Sequence, residues 1–223
     1  MSYASVNGLQ LYYETHGDGP GRPLVLLHGG LMTIDLNFGP LLAPLAATRP
    51  VIAVELQGHG HTADTSRPMT IPGMAGDVIA LLDQLGIDQA DFFGFSLGGM
   101  VTYEIALSAP ERAGRLVIAS ADAHRPPGRE SVPLDEARLP TQADFQAMVA
   151  AYRSVAPDPG HFEAFAARNT AMVHELPAWT DEQLRALRAP VLLVFGDRDF
   201  WLLPDIAELF ARLPDAQLAV LPG

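Results

Sequence analysis

The 223-residue chain has no cysteine. That excludes disulfides, thiolate zinc sites and a cysteine nucleophile. No run approaches the roughly 18 apolar residues of a membrane span. The first residues, MSYASVNGLQ, lack the basic and apolar segments of a secretory signal. Basic residues are scarce: 14 Lys and Arg against 26 Asp and Glu leave a formal charge of −12, with no basic cluster. Nucleic acid and anionic membrane are therefore not expected as partners, because both are bound through lysine and arginine patches. There is no internal repeat. A soluble cytoplasmic protein is the default expectation, and the oligomeric state is not legible.

What is present suits one sizeable core. Hydrophobic residues make up 48% of the chain, and the 19 prolines and 20 glycines are spread along it as turn punctuation. Asn7-Gly8 lies between the alternating segments Tyr3–Val6 and Leu9–His16, which predicts an opening β-hairpin. Short continuous apolar runs follow at Leu24–Leu27, Val51–Val54, Phe92–Phe95, Arg115–Ala119, Val191–Phe195 and Gln217–Leu221. Runs of this length suit a parallel sheet buried on both faces. Helical patterns at Phe38–Ala47, Met74–Leu85, Leu97–Ala109 and Ile206–Leu213 alternate with them. The expected fold is a three-layer α/β sandwich that starts with an antiparallel hairpin.

One stretch of about seventy residues breaks the alternation. It opens with HRPPGRE and then offers helical patterns at Gln142–Val155, His161–Glu175 and Asp181–Leu187. Thr180 and Gln183 form a capping-box pattern for the last of these. The expected organisation is a first core part over 1–120, a helical lid over 121–189 and a second core part over 190–223. Ligands of open α/β sheets bind beyond the carboxyl ends of the strands, which is where this insertion starts and finishes. Leu31, Phe145, Met148, Tyr152, Trp179 and Trp201 are the candidate lining of an apolar pocket there; the alternative is that these side chains simply pack in the core.

Gly94-Phe95-Ser96-Leu97-Gly98 fits G-x-S-x-G between a predicted strand and a predicted helix. A sharp turn of that kind strains the serine backbone and exposes its hydroxyl. Side chains two positions either side would collide with the neighbouring strand and helix, so both must be glycine. The Leu97 N–H, at the helix start, then points where an oxyanion would form. Ser96 is the candidate nucleophile.

At this point the chain resembles the α/β-hydrolase family, in particular its single-domain esterase, haloperoxidase-like and lactonase-like members. VNGLQLYYETHG resembles the family's opening hairpin, PLVLLHGG its third strand and oxyanion loop, and GHGHTAD the loop after the fourth strand. GFSLGG resembles the nucleophile elbow, and PVLLVFGDRD the strand that delivers the acid. The resemblance implies an eight-stranded, mostly parallel sheet in the order 1-2-4-3-5-6-7-8. It implies Gly30 as the second oxyanion donor beside Leu97, with Leu31 the donor if the loop is shifted by one residue. His28 is implied to be structural, Asp199 to be the triad carboxylate and Asp197 a turn residue.

The resemblance puts the triad histidine in the loop after the last strand, followed by a closing helix. Here that strand is AQLAVLPG, so both are expected a few residues past Gly223, and a truncated form of a longer hydrolase is the expectation. Among the histidines present, His16 lies at the wrong end of the fold, and His161 and His174 sit in the inserted helices. His59 and His61 occupy a turn motif. His124, near Asp122, is the most plausible stand-in. The metal reading of HGHTAD is weak because Asp64 is three residues beyond His61 and no histidine follows. HGGLMT and the other glycine pairs of the chain lack the G-x-G-x-x-G spacing of a dinucleotide site, so no cofactor is implied. Serine at position 96 speaks against an epoxide hydrolase or dehalogenase, which need aspartate there. The expected activity is a serine hydrolase acting on a small, apolar carboxylic ester, thioester or lactone. Perhydrolase and aminopeptidase chemistry stay open, and the alternative is a non-catalytic binding or receptor protein on the same scaffold.

Overall fold

The computed structural model describes residues 2–123, 136–174 and 179–222. Eight strands form one sheet: β1 (Ser2–Val6), β2 (Leu9–His16), β3 (Leu24–Leu27), β4 (Val51–Val54), β5 (Ala90–Phe95), β6 (Ala113–Ala119), β7 (Val191–Gly196) and β8 (Ala216–Leu221). Their order is β1-β2-β4-β3-β5-β6-β7-β8, the order the family resemblance implies. β1 and β2 pair antiparallel about Asn7-Gly8, both at positive φ, and β2 runs antiparallel to β4. The remaining pairs are parallel. β3 and β4 are buried at every position, as their unbroken apolar runs require.

The helices are α1 (Ile34–Ala46), α2 (Ile71–Gln84), α3 (Leu97–Ser108), α4 (Gln142–Val155), α5 (Phe162–His174), α6 (Asp181–Arg185) and α7 (Leu203–Arg212). On one face of the sheet, Ile34 and Phe38 of α1 pack on Leu24, Leu26, Val51 and Ala53. The other face carries α2, α3 and α7 and most of the core. Three helices begin earlier than the apolar periodicity predicts. Thr33 and Thr70 cap α1 and α2 through their side-chain oxygens, and α2 and α7 hold Pro72 and Pro204 in their first turns. Proline is tolerated there because the first N–H groups of a helix have no intrahelical partner. The capping box at Thr180 and Gln183 is formed, and Thr141 with Asp144 makes a second one at α4. Among the described residues no helix is long and apolar enough to cross a membrane.

The helical segment between β6 and β7 is tied to the loop after β4. Asp64, whose side chain is fully buried, takes an ion pair from Arg168 and one from His161. Arg168 also donates to the Thr65 and Arg67 carbonyls. Phe165 stands edge-on to His59, with ring centroids 4.7 Å apart.

His28 joins the ends of β3 and β4. Its Nε2 accepts the Leu56 N–H at 3.1 Å, so the ring proton sits on Nδ1 and is donated to the Gly29 carbonyl at 2.8 Å. Only the neutral ring can make both bonds, and complete burial lowers its pKa to about 4. Burial also holds the neighbouring His59 well below the usual histidine range.

Two predictions follow from the packing. A Cβ on Gly98 would fall inside the Leu27 carbonyl, whereas one on Gly86 (φ +68°) would meet nothing within 4 Å. Gly98→Ala should therefore cost about 3 kcal/mol or more in urea unfolding, against about 1 kcal/mol for Gly86→Ala, where only the backbone is strained. For His28 the folded pKa is depressed. Its contribution is whole above about 6.5 and is lost as pH falls toward 4, roughly 3 kcal/mol in all. Urea midpoints between pH 7 and 4.5 should show a slope that His28→Gln flattens; an unchanged slope in the variant contradicts the assignment.

Candidate active site

The motif residues meet along one edge of the sheet, at the carboxyl ends of four neighbouring strands. β3 runs into His28-Gly29-Gly30-Leu31, β5 into Ser96, β6 into Ser120, and β7 into the turn that holds Asp199.

Ser96 stands between β5 and α3 with φ 50° and ψ −111°, a conformation L-residues adopt only under constraint. The constraint is the crossing of α3 over β3 and β5. A side chain on Gly94 would run into the Gly98 carbonyl, and one on Gly98 into the Leu27 carbonyl. The Ser96 N–H is held by the Ala119 carbonyl at 2.8 Å, and the Gly98 N–H by the His28 carbonyl at 3.0 Å. The serine side chain is half-buried at the edge of this turn.

The loop that follows β3 is shaped from two directions. Asn37 of α1 accepts the Gly29 N–H at 2.8 Å, and the Met32 N–H closes a turn on the Gly29 carbonyl at 3.2 Å. Leu31, half-buried against the core, takes φ 63° within that turn. Among the described residues, the N–H groups of Gly30, Leu31 and Leu97 donate to no protein acceptor. They are the donors available to a ligand oxygen near Ser96.

Asp199 follows β7, two strands over from the β5 end that carries Ser96; strands so placed are about 10 Å apart. Its N–H bonds the Gly196 carbonyl at 3.2 Å, and its carboxylate accepts the Trp201 N–H at 3.2 Å. The Trp201 indole N–H reaches across to the Ser120 carbonyl at 3.0 Å, which ties the Asp199 turn to the end of β6. Arg138 donates to the Asp199 carbonyl. Asp197 is exposed at the start of the turn, its N–H on the Leu221 carbonyl.

The expected pocket residues divide by surroundings. Tyr152 stacks on Phe165 at 5.3 Å and 9° and is buried, so it fills the interior of the helical segment. Trp179 packs against Tyr103 and donates to Glu104, fastening that segment to α3. Phe145 is half exposed and lines an open groove of about 530 Å³ made by α4 alone. Met148, Leu31 and Trp201 are half-buried. Asn37 has no motif around it, and Ser120, at φ 51°, has none either; neither could be read from the sequence.

The described histidines are engaged elsewhere. His16 bonds Glu14, and His61 bonds Glu55 while stacking on Tyr12. His161 bonds Asp64, and His28 and His59 are buried. His124 and the side chain of His174 lie outside the described residues. The GHGHTAD residues thus point to three different partners, and among the described residues no three acidic or histidine side chains are grouped to hold a metal ion.

The chain is similar to known proteins. The family described as alpha/beta hydrolase fold matches residues 22–182. Over 121 residues the chain is 43% identical to the dihydrolipoyllysine-residue acetyltransferase component of the acetoin cleaving system of Pseudomonas putida, covering 53% of this chain and 32% of that protein. It is 28% identical, over 245 aligned positions, to the putative carbamate hydrolase RutD of Caulobacter sp. (strain K31), covering 100% of this chain and 90% of that one. The matches span less than half the length of the first curated relatives. Among solved structures, the meta-cleavage product hydrolase CumD of Pseudomonas fluorescens IP01 superposes with a TM-score of 0.80 at 21% identity, covering 100% of this chain and 89% of that one. That is a likeness of fold. With more than half its length matched by the family and the sheet order in place, the chain belongs to the alpha/beta hydrolase fold family.

Proposed function

We propose that this chain carries the nucleophile, acid and oxyanion donors of a serine hydrolase that cleaves a small, apolar carboxylic ester, thioester or lactone. The observation that carries the reading is Ser96 itself: a non-glycine residue at φ 50°, forced there by glycines whose side chains would strike backbone. Strain of this kind costs about 1–3 kcal/mol and gathers at functional sites. A turn with no task would not keep it.

In the proposed reaction the Ser96 hydroxyl attacks the substrate carbonyl carbon and its proton passes to an imidazole. The N–H groups of Gly30 and Leu97 hold the oxyanion. Collapse expels the alcohol, which takes that proton, and leaves an acyl-Ser96 ester that water hydrolyses by the same route. Asp199 orients the imidazole and stabilises its charged form. The resemblance assigns the imidazole to the chain after β8. The helical segment acts as the lid, with Leu31, Met148 and Trp201 offering apolar surface to the acyl or alcohol part. The hydrolase relatives support carbonyl chemistry of this type; RutD is described as a putative carbamate hydrolase, and a carbamate carbonyl is open to the same attack.

The test uses the protein made from its full coding sequence. That protein should label with a fluorophosphonate at Ser96 and hydrolyse p-nitrophenyl acetate. Ser96→Ala should abolish labelling and lower kcat by on the order of 10⁶, and Asp199→Asn by on the order of 10⁴. If that wild-type protein neither labels nor turns over, the reading fails in favour of a binding protein on the same scaffold.

A further inference from the structure

Asn169 of α5 has no role in the site as described so far. It is 5% exposed, and its Oδ1 is buried with no hydrogen-bond partner among the described residues. An unpartnered buried carbonyl costs stability, so this carboxamide is not there to hold the fold together. The position of Asn169 suggests a use. A Cβ built on Gly30 would stand 3.1 Å from its Nδ2 and 3.5 Å from its Oδ1, so the carboxamide lies directly over the Gly30 backbone. Ordinary bond lengths then put Nδ2 no more than about 5.6 Å from the Gly30 nitrogen. Two N–H donors at that separation can share one oxygen at about 2.9 Å from each. Nδ2 donates to no described acceptor and, unlike Oδ1, is not sealed from solvent.

The helix that carries it is held in place. The neighbouring Arg168 is paired with buried Asp64, and Phe165 fills the space that a side chain on Gly58 would need. The carboxamide is therefore presented to the oxyanion loop by a braced element.

We propose that Asn169 is a substrate-binding residue whose Nδ2–H donates, beside the Gly30 N–H, to the substrate's carbonyl oxygen and to the oxyanion formed from it. The inserted helices then complete the site as well as cover it. This rests on the serine-hydrolase reading above.

In the protein made from the full coding sequence, Asn169→Leu and Asn169→Ala should each lower kcat for p-nitrophenyl acetate roughly 10- to 100-fold. KM should stay within about threefold, and a small alkylboronic acid, which forms a tetrahedral adduct on serine, should bind more weakly by the same factor as kcat. Asn169→Leu, freed of the buried carbonyl, should melt at the same or a higher temperature, which a purely structural asparagine would not allow. Asn169→Asp should lose more activity than the alanine variant, because a carboxylate repels the oxyanion. Whichever of the leucine and alanine variants stays folded is decisive: kcat within about twofold of wild type overturns the proposal. So does a kcat loss that only tracks a fall in melting temperature. Ser96→Ala in the same assays keeps the two readings apart, since it can be inactive while the Asn169 variants are not.

Discussion

The close crossing of α3 over the end of β3 is the constraint from which the site follows. Gly98 meets the Leu27 carbonyl at a distance that leaves no room for a side chain, and its N–H is bonded to the His28 carbonyl. That contact brings the first turn of α3 beside the loop leaving β3, so the Leu97 and Gly30 N–H groups share one edge. It also leaves the chain between β5 and α3 too little length to turn in a relaxed conformation, and Ser96 absorbs the difference. Of the four non-glycine residues at positive φ among the described residues, Asn7 serves the hairpin. The other three, Leu31, Ser96 and Ser120, follow β3, β5 and β6. Strain is concentrated where three adjacent strands end, on a sheet whose buried interior is regular enough to impose it.

How much of this was legible depended on whether the cause was local. The strands could be read because a fully buried strand must be apolar at every position, and the hairpin because Asn-Gly suits a turn with φ positive twice. The elbow was legible because its glycines, serine and flanking elements lie within ten residues. Helix starts were read late at α1, α2 and α7 because the first turns hold threonine caps and prolines instead of the apolar period. Strand order came from family resemblance alone; nothing in the spacing of apolar runs says that β4 pairs outside β3. Asn37 and Asn169 gave no signal. Each is a single polar residue on a helix, placed by how that helix packs on the loop after β3.

The loop after β4 shows the same limit from the other side. Its HGHTAD sequence has the residue types of a chelate, but the fold sends each side chain to a different partner: His59 into the core, His61 to Glu55, Asp64 to Arg168 and His161. Replacing a buried ion pair with apolar residues often leaves a protein as stable, so its clearest value is in selecting one arrangement over others. Here the arrangement selected is the docking of α5. In a chain with 26 acids and 14 bases, using Arg168 on a fully buried acid commits a scarce cation, and the element it fixes is the one that holds Asn169 over Gly30.

Under the function proposed above, sheet spacing calls for a third group between Ser96 and Asp199. β5 and β7 are separated by β6, about 10 Å in all, too far for a carboxylate to take the serine proton directly. An imidazole with a hydrogen bond at each ring nitrogen spans roughly 7–8 Å between its partners, which short side chains leaning inward can close. Ser96 is placed by backbone crowding. Asp199 is placed by softer means, an N–H from Trp201 to its carboxylate and the indole's bond to the Ser120 carbonyl. The indole also bridges the strand that separates the two residues. A change at Trp201 would thus act on the orientation of Asp199 while leaving the elbow intact, so the two halves of the site fail independently.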